Sequence, residues 1–120
     1  MIAGSFDAKL RIYKATNGDF STIAQTLGEA KDAITSCAIS KDGTVIATGS
    51  RDNVLRIYYN SGTTFALTQS FNDASEPLWS ISISTNKSII VVSSDDSVVR
   101  TYTLCTNSSC FTCPGGCLTC

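Results

Sequence analysis

The sequence GSRDNVLRIY, from Gly49 to Tyr58, occurs three times in related forms. The other two copies are GSFDAKLRIY, which starts at Gly4, and SSDDSVVRTY, which starts at Ser93. The copies start about 44 to 45 residues apart, and a period of this length is typical of repeat architectures. The sequence therefore predicts three related structural units.

The stretch around the middle copy predicts four β-strands. Apolar residues, either alternating with polar ones or β-branched in a run, fill four segments, namely residues 34–40, 44–49, 54–59 and 64–70. Turn-forming residues separate these segments, as in Lys41-Asp42-Gly43 and Asn60-Ser61-Gly62. Four antiparallel strands within one repeat make one blade of a β-propeller.

The two flanking repeats predict incomplete blades. Residues 2–27 supply the second, third and fourth strands of a blade, whereas residues 72–104 supply the first three. We therefore expect an all-β fold, a partial propeller of about two and a half four-stranded blades, followed by an irregular cysteine-rich tail. The expected domains are the blades at 1–104, divided into 2–27, 28–71 and 72–104, and a cysteine-rich segment at 105–120.

Composition narrows the possible functions. The net charge is −1 and the charges are scattered, which argues against a nucleic-acid partner. No apolar run approaches the roughly 18 residues that span a bilayer, so we expect no membrane segment in this chain. Histidine is absent, which removes the commonest general base and a frequent ligand of catalytic zinc. We predict that the protein is not an enzyme and has no cofactor, no bound metal and no small-molecule substrate.

The repeats resemble those of the WD40 β-propeller family. Gly49-Ser50, Asp52 and Tyr58 match the Gly-Ser pair, the turn aspartate and the closing aromatic of that family, with tyrosine in place of tryptophan. Where the family has a histidine, this sequence has Glu29 and, one repeat later, Asp73. The resemblance implies that the family's hydrogen-bonded relay from histidine to aspartate and tryptophan cannot form.

The resemblance also implies how the blades are used. In WD40 propellers the last blade often takes its outer strand from the N-terminal end of the chain. A third blade with only three strands therefore implies that residues 1–104 are the C-terminal blades of a longer propeller. Partners implied by the family are other proteins.

Repeated aspartates occupy the turn between the second and third predicted strands. We expect them to accept backbone N–H bonds within that turn, because residues repeated on separate blades do not converge on a metal. These structural turn residues are Asp7, Asp52 and Asp96. An arginine recurs four residues after each of them, and we expect these arginines on the solvent-facing side of the blades: Arg11, Arg56 and Arg100.

Loop residues that differ between blades are candidate partner contacts, because a rigid scaffold presents such loops to ligands. The only tryptophan, Trp79, alternates in register with Ile81 and Ile83, which predicts that it packs against the neighbouring blade. The resemblance also places it near the partner-binding face, where tryptophan is a frequent hot-spot residue. The candidate partner-binding residues are Thr35, Arg51, Asn53, Trp79, Asp95 and Ser97.

Five cysteines follow Leu104, spaced C-x4-C-x2-C-x3-C-x2-C. The two C-x2-C pairs lie closer together than the dozen or so residues between the pairs of zinc fingers, and dense cysteine with Gly and Pro is typical of disulfide scaffolds. An odd number cannot pair fully, so we expect the native chain to continue. The disulfide candidates are Cys105, Cys110, Cys113, Cys117 and Cys120, and the last four would hold a zinc ion in the alternative.

The tail also resembles the start of a furin-like, growth-factor-receptor cysteine-rich region. With the propeller, this predicts a non-enzymatic protein–protein interaction scaffold, a fragment of a larger receptor-like or adhesive protein that is extracellular or membrane-associated. The alternative is an intracellular WD40 scaffold with a structural zinc tail. The redox state of the tail separates the two, because disulfides are rare in the cytosol.

Overall fold

The computed structural model describes residues 1–104, which form ten β-strands and no helix. None of these residues belongs to a helix that could cross a membrane. The predicted all-β class is confirmed. The strands are β1 (Ile2–Gly4), β2 (Leu10–Tyr13), β3 (Ile23–Leu27), β4 (Ile34–Ile39), β5 (Val45–Ser50), β6 (Leu55–Asn60), β7 (Phe65–Phe71), β8 (Leu78–Ile83), β9 (Ile89–Ser94) and β10 (Val99–Thr103).

The strands form three antiparallel sheets, each a meander of consecutive strands. Blade 1 has the order β1-β2-β3, blade 2 the order β4-β5-β6-β7 and blade 3 the order β8-β9-β10. This arrangement of three, four and three strands is the one that the repeated turn chemistry predicts. The position of these blades within a longer propeller stays a prediction.

Irregularities in the ladders repeat from blade to blade. A bulge interrupts the pairing of the third and fourth strands after Ile12 in blade 1 and after Ile57 in blade 2. Another interrupts the pairing of the first and second strands next to Ile34 in blade 2 and next to Leu78 in blade 3. Because a bulge re-aims the side chains beside it, repeated bulges give equivalent residues of each blade the same orientation.

The bulge at the start of β8 overturns the predicted packing of Trp79. Simple alternation would place Trp79 on the same side of the strand as Ile81, but the extra residue changes the phase between Leu78 and Ser80. Ile81 is buried, whereas 46% of Trp79 remains exposed. The prediction that Trp79 packs against the neighbouring blade is therefore wrong.

Two apolar cores hold the blades together. One lies between blades 1 and 2 and includes Leu10, Ile46 and Tyr58. The other lies between blades 2 and 3 and is built from buried residues of both sheets, among them Ile57 and Ile90. The chain is therefore stabilised by contacts between neighbouring repeats, as expected for stacked units that have no core of their own.

Candidate protein-interaction face

One end of the three blades carries the predicted partner-binding residues. The first strand begins where the second strand ends, as the pairing of Ile34 with Ser50 and of Leu78 with Ser94 shows. The loops before the first strands therefore meet the turns between the second and third strands. We call this end the turn end and define it as residues 5–9, 28–35, 50–54, 72–79 and 94–98.

Each turn of the turn end is organised by its aspartate. The Oδ1 atom of Asp52 accepts the backbone N–H of Val54 at 3.1 Å. Asp7 and Asp96 accept the N–H two residues later in the same way, at 3.1 and 3.0 Å. This is the aspartate turn expected from the sequence.

The same aspartates also bind the repeated arginines. Both Nη atoms of Arg56 donate to the carboxylate of Asp52, at 3.1 and 2.7 Å. Arg100 makes the same two-bond contact with Asp96, at 3.1 and 2.7 Å. Two parallel bonds of this kind fix the orientation of both groups and are stronger than neutral hydrogen bonds.

The arginines are therefore not simple solvent-facing residues. Arg56 is only 5% exposed and Arg100 is half-buried, because each folds back along its strand onto the turn. Arg11 bonds to Asp7 in the same way, but this pair lies nearer the surface than the other two. The prediction that these arginines mark the solvent-facing side is wrong, since alternation along a strand does not show that a neighbouring turn offers a carboxylate.

The turn aspartates also bind the loop that precedes the first strand. Asp52 accepts the N–H of Lys31 at 2.8 Å, and Asp96 accepts the N–H of Ser75 at 3.2 Å. Burial of Asp52 favours its protonated form, but the bonds from Arg56 and Lys31 outweigh this and lower its pKa. The pKa of Asp96 is lowered chiefly by Arg100. Both carboxylates therefore stay ionised near neutral pH.

The acids at the family's histidine position bind the closing tyrosines. The hydroxyl of Tyr102 donates to Asp73 at 2.6 Å, and that of Tyr58 donates to Glu29 at 3.3 Å. Burial, together with the charge of Glu29, raises the pKa of Tyr58 to about 12. The histidine relay is absent, but tyrosine–acid and arginine–aspartate pairs connect the same loop, turn and strand in its place.

Two of the predicted partner-binding residues have structural contacts. The hydroxyl of Thr35 lies within hydrogen-bonding distance of the carbonyl oxygens of Gly49 and Leu78, and so ties blade 2 to blade 3. Asn53 has a φ of 66°, in the left-handed region where asparagine is favoured. Its side-chain amide donates to the carbonyl oxygen of Ser75 at 3.0 Å. Both residues hold the turn end in shape.

The other four predicted residues are exposed at the turn end. Arg51, Asp95 and Ser97 have exposed side chains beside their turn aspartates, and Trp79 is exposed at the start of β8. The structure adds Phe6, which is 78% exposed in the turn of blade 1. Phe6 precedes its turn aspartate as Arg51 and Asp95 precede theirs. Comparison of the three repeats could therefore have identified it as a candidate contact.

The cysteine predictions fall almost entirely outside the described residues. Cys105, Cys110, Cys113, Cys117 and Cys120 all lie beyond Leu104. Within the described residues Cys37 forms no disulfide and is partly buried, and burial raises the pKa of its thiol. Residues 1–104 contain no group of acids and cysteines arranged to hold a metal ion.

Comparison with known proteins assigns the family. The WD40 family profile, described as "WD domain, G-beta repeat", matches residues 21–59 and 65–103, which is more than half of the chain. Each match begins in the fourth strand of one blade and ends in the third strand of the next, so a repeat spans two neighbouring blades. No curated protein matched the chain. The repeat period, the three blades and the family match together show that the chain belongs to the WD40 repeat family.

Proposed function

We propose that the chain is a non-enzymatic protein-interaction scaffold that holds its partner at the turn end. WD40 repeats generally mediate protein–protein contacts, and proteins built from them are typically not enzymes. The turn end adds a specific reason for this chain. Its turns are fixed by ionised aspartates, yet the exposed residue before each aspartate differs in character: Phe6, Arg51 and Asp95.

This combination carries the proposal. A binding surface needs fixed positions, because ordering a mobile loop costs free energy on association. It also needs side chains that differ from place to place, so that one partner fits and others do not. Trp79 and Phe6 supply exposed aromatic area, and aromatic residues are enriched among binding hot spots.

Cross-linking followed by alanine substitution tests this assignment. A photo-reactive residue at position 51 captures the partner in cells, and the purified partner is then titrated against variants of the chain. We expect Phe6→Ala and Trp79→Ala to weaken binding at least about tenfold, because truncation of a hot spot costs about 2 kcal/mol or more. Lys41→Ala is the matched control, since this exposed residue lies in a turn at the opposite end of the blades. An equal loss of affinity in Lys41→Ala, or unchanged affinity in Phe6→Ala and Trp79→Ala, would show that the interface lies elsewhere.

The proposal for the whole protein is that residues 1–104 are the last blades of a longer propeller, in a receptor-like or adhesive protein. The cysteine-rich sequence at 105–120, which resembles the start of a furin-like region, supports an extracellular or membrane-associated setting. The second candidate, an intracellular scaffold with a zinc tail, is supported by the two C-x2-C pairs from Cys110 to Cys120.

Metal and thiol analysis separates these two settings. In the receptor-like setting, protein from a secretory route has few free thiols in residues 105–120 and no stoichiometric zinc. One zinc per chain, with Cys110, Cys113, Cys117 and Cys120 protected from alkylation until a chelator is added, would establish the intracellular candidate instead.

A further inference from the structure

The turn between the first and second strands of blade 3 contains the triplet Asn86-Lys87-Ser88. Asparagine followed two residues later by serine, with a residue other than proline between them, is the acceptor sequence for N-linked glycans. Asn86 is exposed, and Lys87 and Ser88 are half-buried. Because β8 starts at the turn end, this turn lies at the opposite end of the blade. The acceptor sequence therefore occupies a surface turn away from the turn end.

The side-chain oxygen of Asn86 holds this turn together. Oδ1 accepts the backbone N–H of Ser88 at 3.0 Å and the hydroxyl of the same residue at 2.6 Å. The hydroxyl of Ser84 also donates to Oδ1, at 2.8 Å. Because a backbone N–H can only donate, the atom that faces it is the oxygen of the amide and not its nitrogen. Within residues 1–104, every side-chain hydrogen bond of Asn86 involves Oδ1 and none involves Nδ2.

The equivalent turn of blade 2 has the same three bonds around an aspartate. Oδ1 of Asp42 accepts the hydroxyl of Ser40 at 2.7 Å. It also accepts the N–H and the hydroxyl of Thr44, at 3.1 and 2.8 Å. The turn therefore needs only one oxygen at this position. The second oxygen of Asp42 forms an ion pair with Lys87 at 2.5 Å, whereas the uncharged amide nitrogen in its place on Asn86 has no such contact within residues 1–104.

This division of labour within the amide leaves its nitrogen available for a substituent. An N-linked glycan is attached through the nitrogen, so a sugar on Nδ2 leaves Oδ1 and its three hydrogen bonds in place. Exposed turns also accept added groups more readily than packed strands, because no buried side chain has to move. The folded turn can therefore carry a glycan on Asn86 without losing any of these contacts.

We propose that Asn86 is an N-glycosylation site, an inference that rests on the receptor-like setting of the proposed function, because the glycan is added in the secretory route. The donor is an oligosaccharide linked to a lipid diphosphate. Nδ2 of Asn86 attacks the anomeric carbon of the first sugar, and a new carbon–nitrogen bond forms. The bond from that carbon to the diphosphate oxygen breaks, and the lipid diphosphate leaves. One proton of the nitrogen passes to a basic group of the transferase, and nothing is oxidised or reduced.

Mass spectrometry of the native protein, purified from the cells that make it, tests the site. Peptide N-glycosidase in heavy-oxygen water converts a glycosylated asparagine to a labelled aspartate, and we expect this label at position 86. An unlabelled Asn86 would overturn the proposal. The 120-residue chain with an added cleavable signal sequence then shows which part has failed. If Asn86 is glycosylated in that secreted chain, the receptor-like setting is at fault. If it is not, the acceptor site is at fault, and the setting is judged by the thiol and zinc analysis alone.

Matched variants of the secreted chain assign the glycan to Asn86. Asn107→Gln removes the other acceptor triplet, Asn107-Ser108-Ser109, and should leave a single glycosidase-sensitive shift in gel mobility. On that background Asn86→Asp should abolish the shift and keep the fold, because Asp42 holds the equivalent turn. Ser88→Ala should also abolish it, whereas Ser88→Thr should retain it, since Thr44 occupies the equivalent position. Circular dichroism confirms that each variant is folded. A shift that persists in Asn86→Asp would overturn the assignment.

Discussion

At the scale of single residues, each turn aspartate has several roles at once. Asp52 accepts the N–H of its own turn, the N–H of a loop and both bonds from Arg56. The sequence predicted only the first of these roles, for which loss of the acceptor would cost roughly 0.5 to 2 kcal/mol. The structure changes that expectation, because Arg56 is buried and has its carboxylate partner in Asp52.

Replacing Asp52 with alanine should lower the free energy of unfolding by about 3 to 5 kcal/mol, the usual cost of leaving one partner of a buried ion pair alone. The exposed Asp7–Arg11 pair provides the matched control, and Asp7→Ala should cost clearly less. Urea denaturation measures both. The pKa of Asp52 is lowered in the folded state, so its contribution is present above about pH 4 and is lost as the pH falls further. Equal losses in the two variants at pH 7 would show that burial of the pair does not matter.

Residue types predicted the turns correctly and their partners incompletely. The Asp at each turn identifies the turn locally, although the residue after it differs between the repeats: Ala8, Asn53 and Ser97. The pairing of Asp52 with Arg56 also lies within one repeat, but alternation along the strand does not show that the arginine turns back onto this carboxylate. Trp79 shows the same limit, because a bulge changes its orientation without any mark in the sequence.

At the scale of strands and sheets, two glycines allow the blades to approach closely. A Cβ atom built on Gly49 would lie 3.0 Å from the Cβ of Leu78 and 3.0 Å from the Cδ1 of Ile81. Gly4 faces Ile34 of blade 2 in the equivalent way. The second strands of blades 1 and 2 therefore need a residue without a side chain where the first strand of the next blade crosses them.

Replacing Gly49 with alanine should destabilise the chain by about 1 to 3 kcal/mol, the usual range for overpacking a filled core. Gly28 is the matched control, since nothing lies within 4 Å of a Cβ at that position, and Gly28→Ala should be close to neutral. Denaturation with urea distinguishes the two variants. A stable Gly49→Ala variant would mean that blades 2 and 3 pack more loosely than described.

At the scale of the whole molecule, blade 3 presents an apolar face that the described residues do not cover. Ile89, Val91 and Val99 are 44%, 38% and 66% exposed. They are one repeat after Val45, Ala47 and Leu55, which are buried between blades 2 and 3. The same side of a blade is thus a core in one repeat and a surface in the next.

The 120-residue chain should therefore associate in solution, because stacked repeats bury a continuous core only when each has its neighbour. Light scattering should detect oligomers or aggregates, and Val99→Lys should reduce them. Thr63→Lys, at an exposed position in the loop before β7, is the control for added charge alone. A monodisperse monomer that unfolds cooperatively would contradict the open-propeller architecture.

The fold as a whole was the part most accessible from sequence. Period, alternation and turn residues are each repeated three times, so an error in one copy is corrected by the others. Only part of the interaction face could be predicted from the sequence. Arg51, Asp95 and Ser97 are exposed as expected. Thr35 and Asn53, in contrast, make contacts to blade 3 or to the loop before it. Such contacts join residues far apart in the chain, which local patterns do not encode.

The offset between repeat and blade has a consequence for how such a chain is lengthened. Because each repeat contributes the outer strand of one blade and three strands of the next, an in-frame duplication of one repeat brings its own half of both new interfaces. The inserted repeat would pack against its neighbours through the same kinds of contact that already join the blades, so no new type of interface is needed. A gene of this kind can gain or lose whole repeats by recombination between copies, and each blade still keeps its contacts with the blade before it.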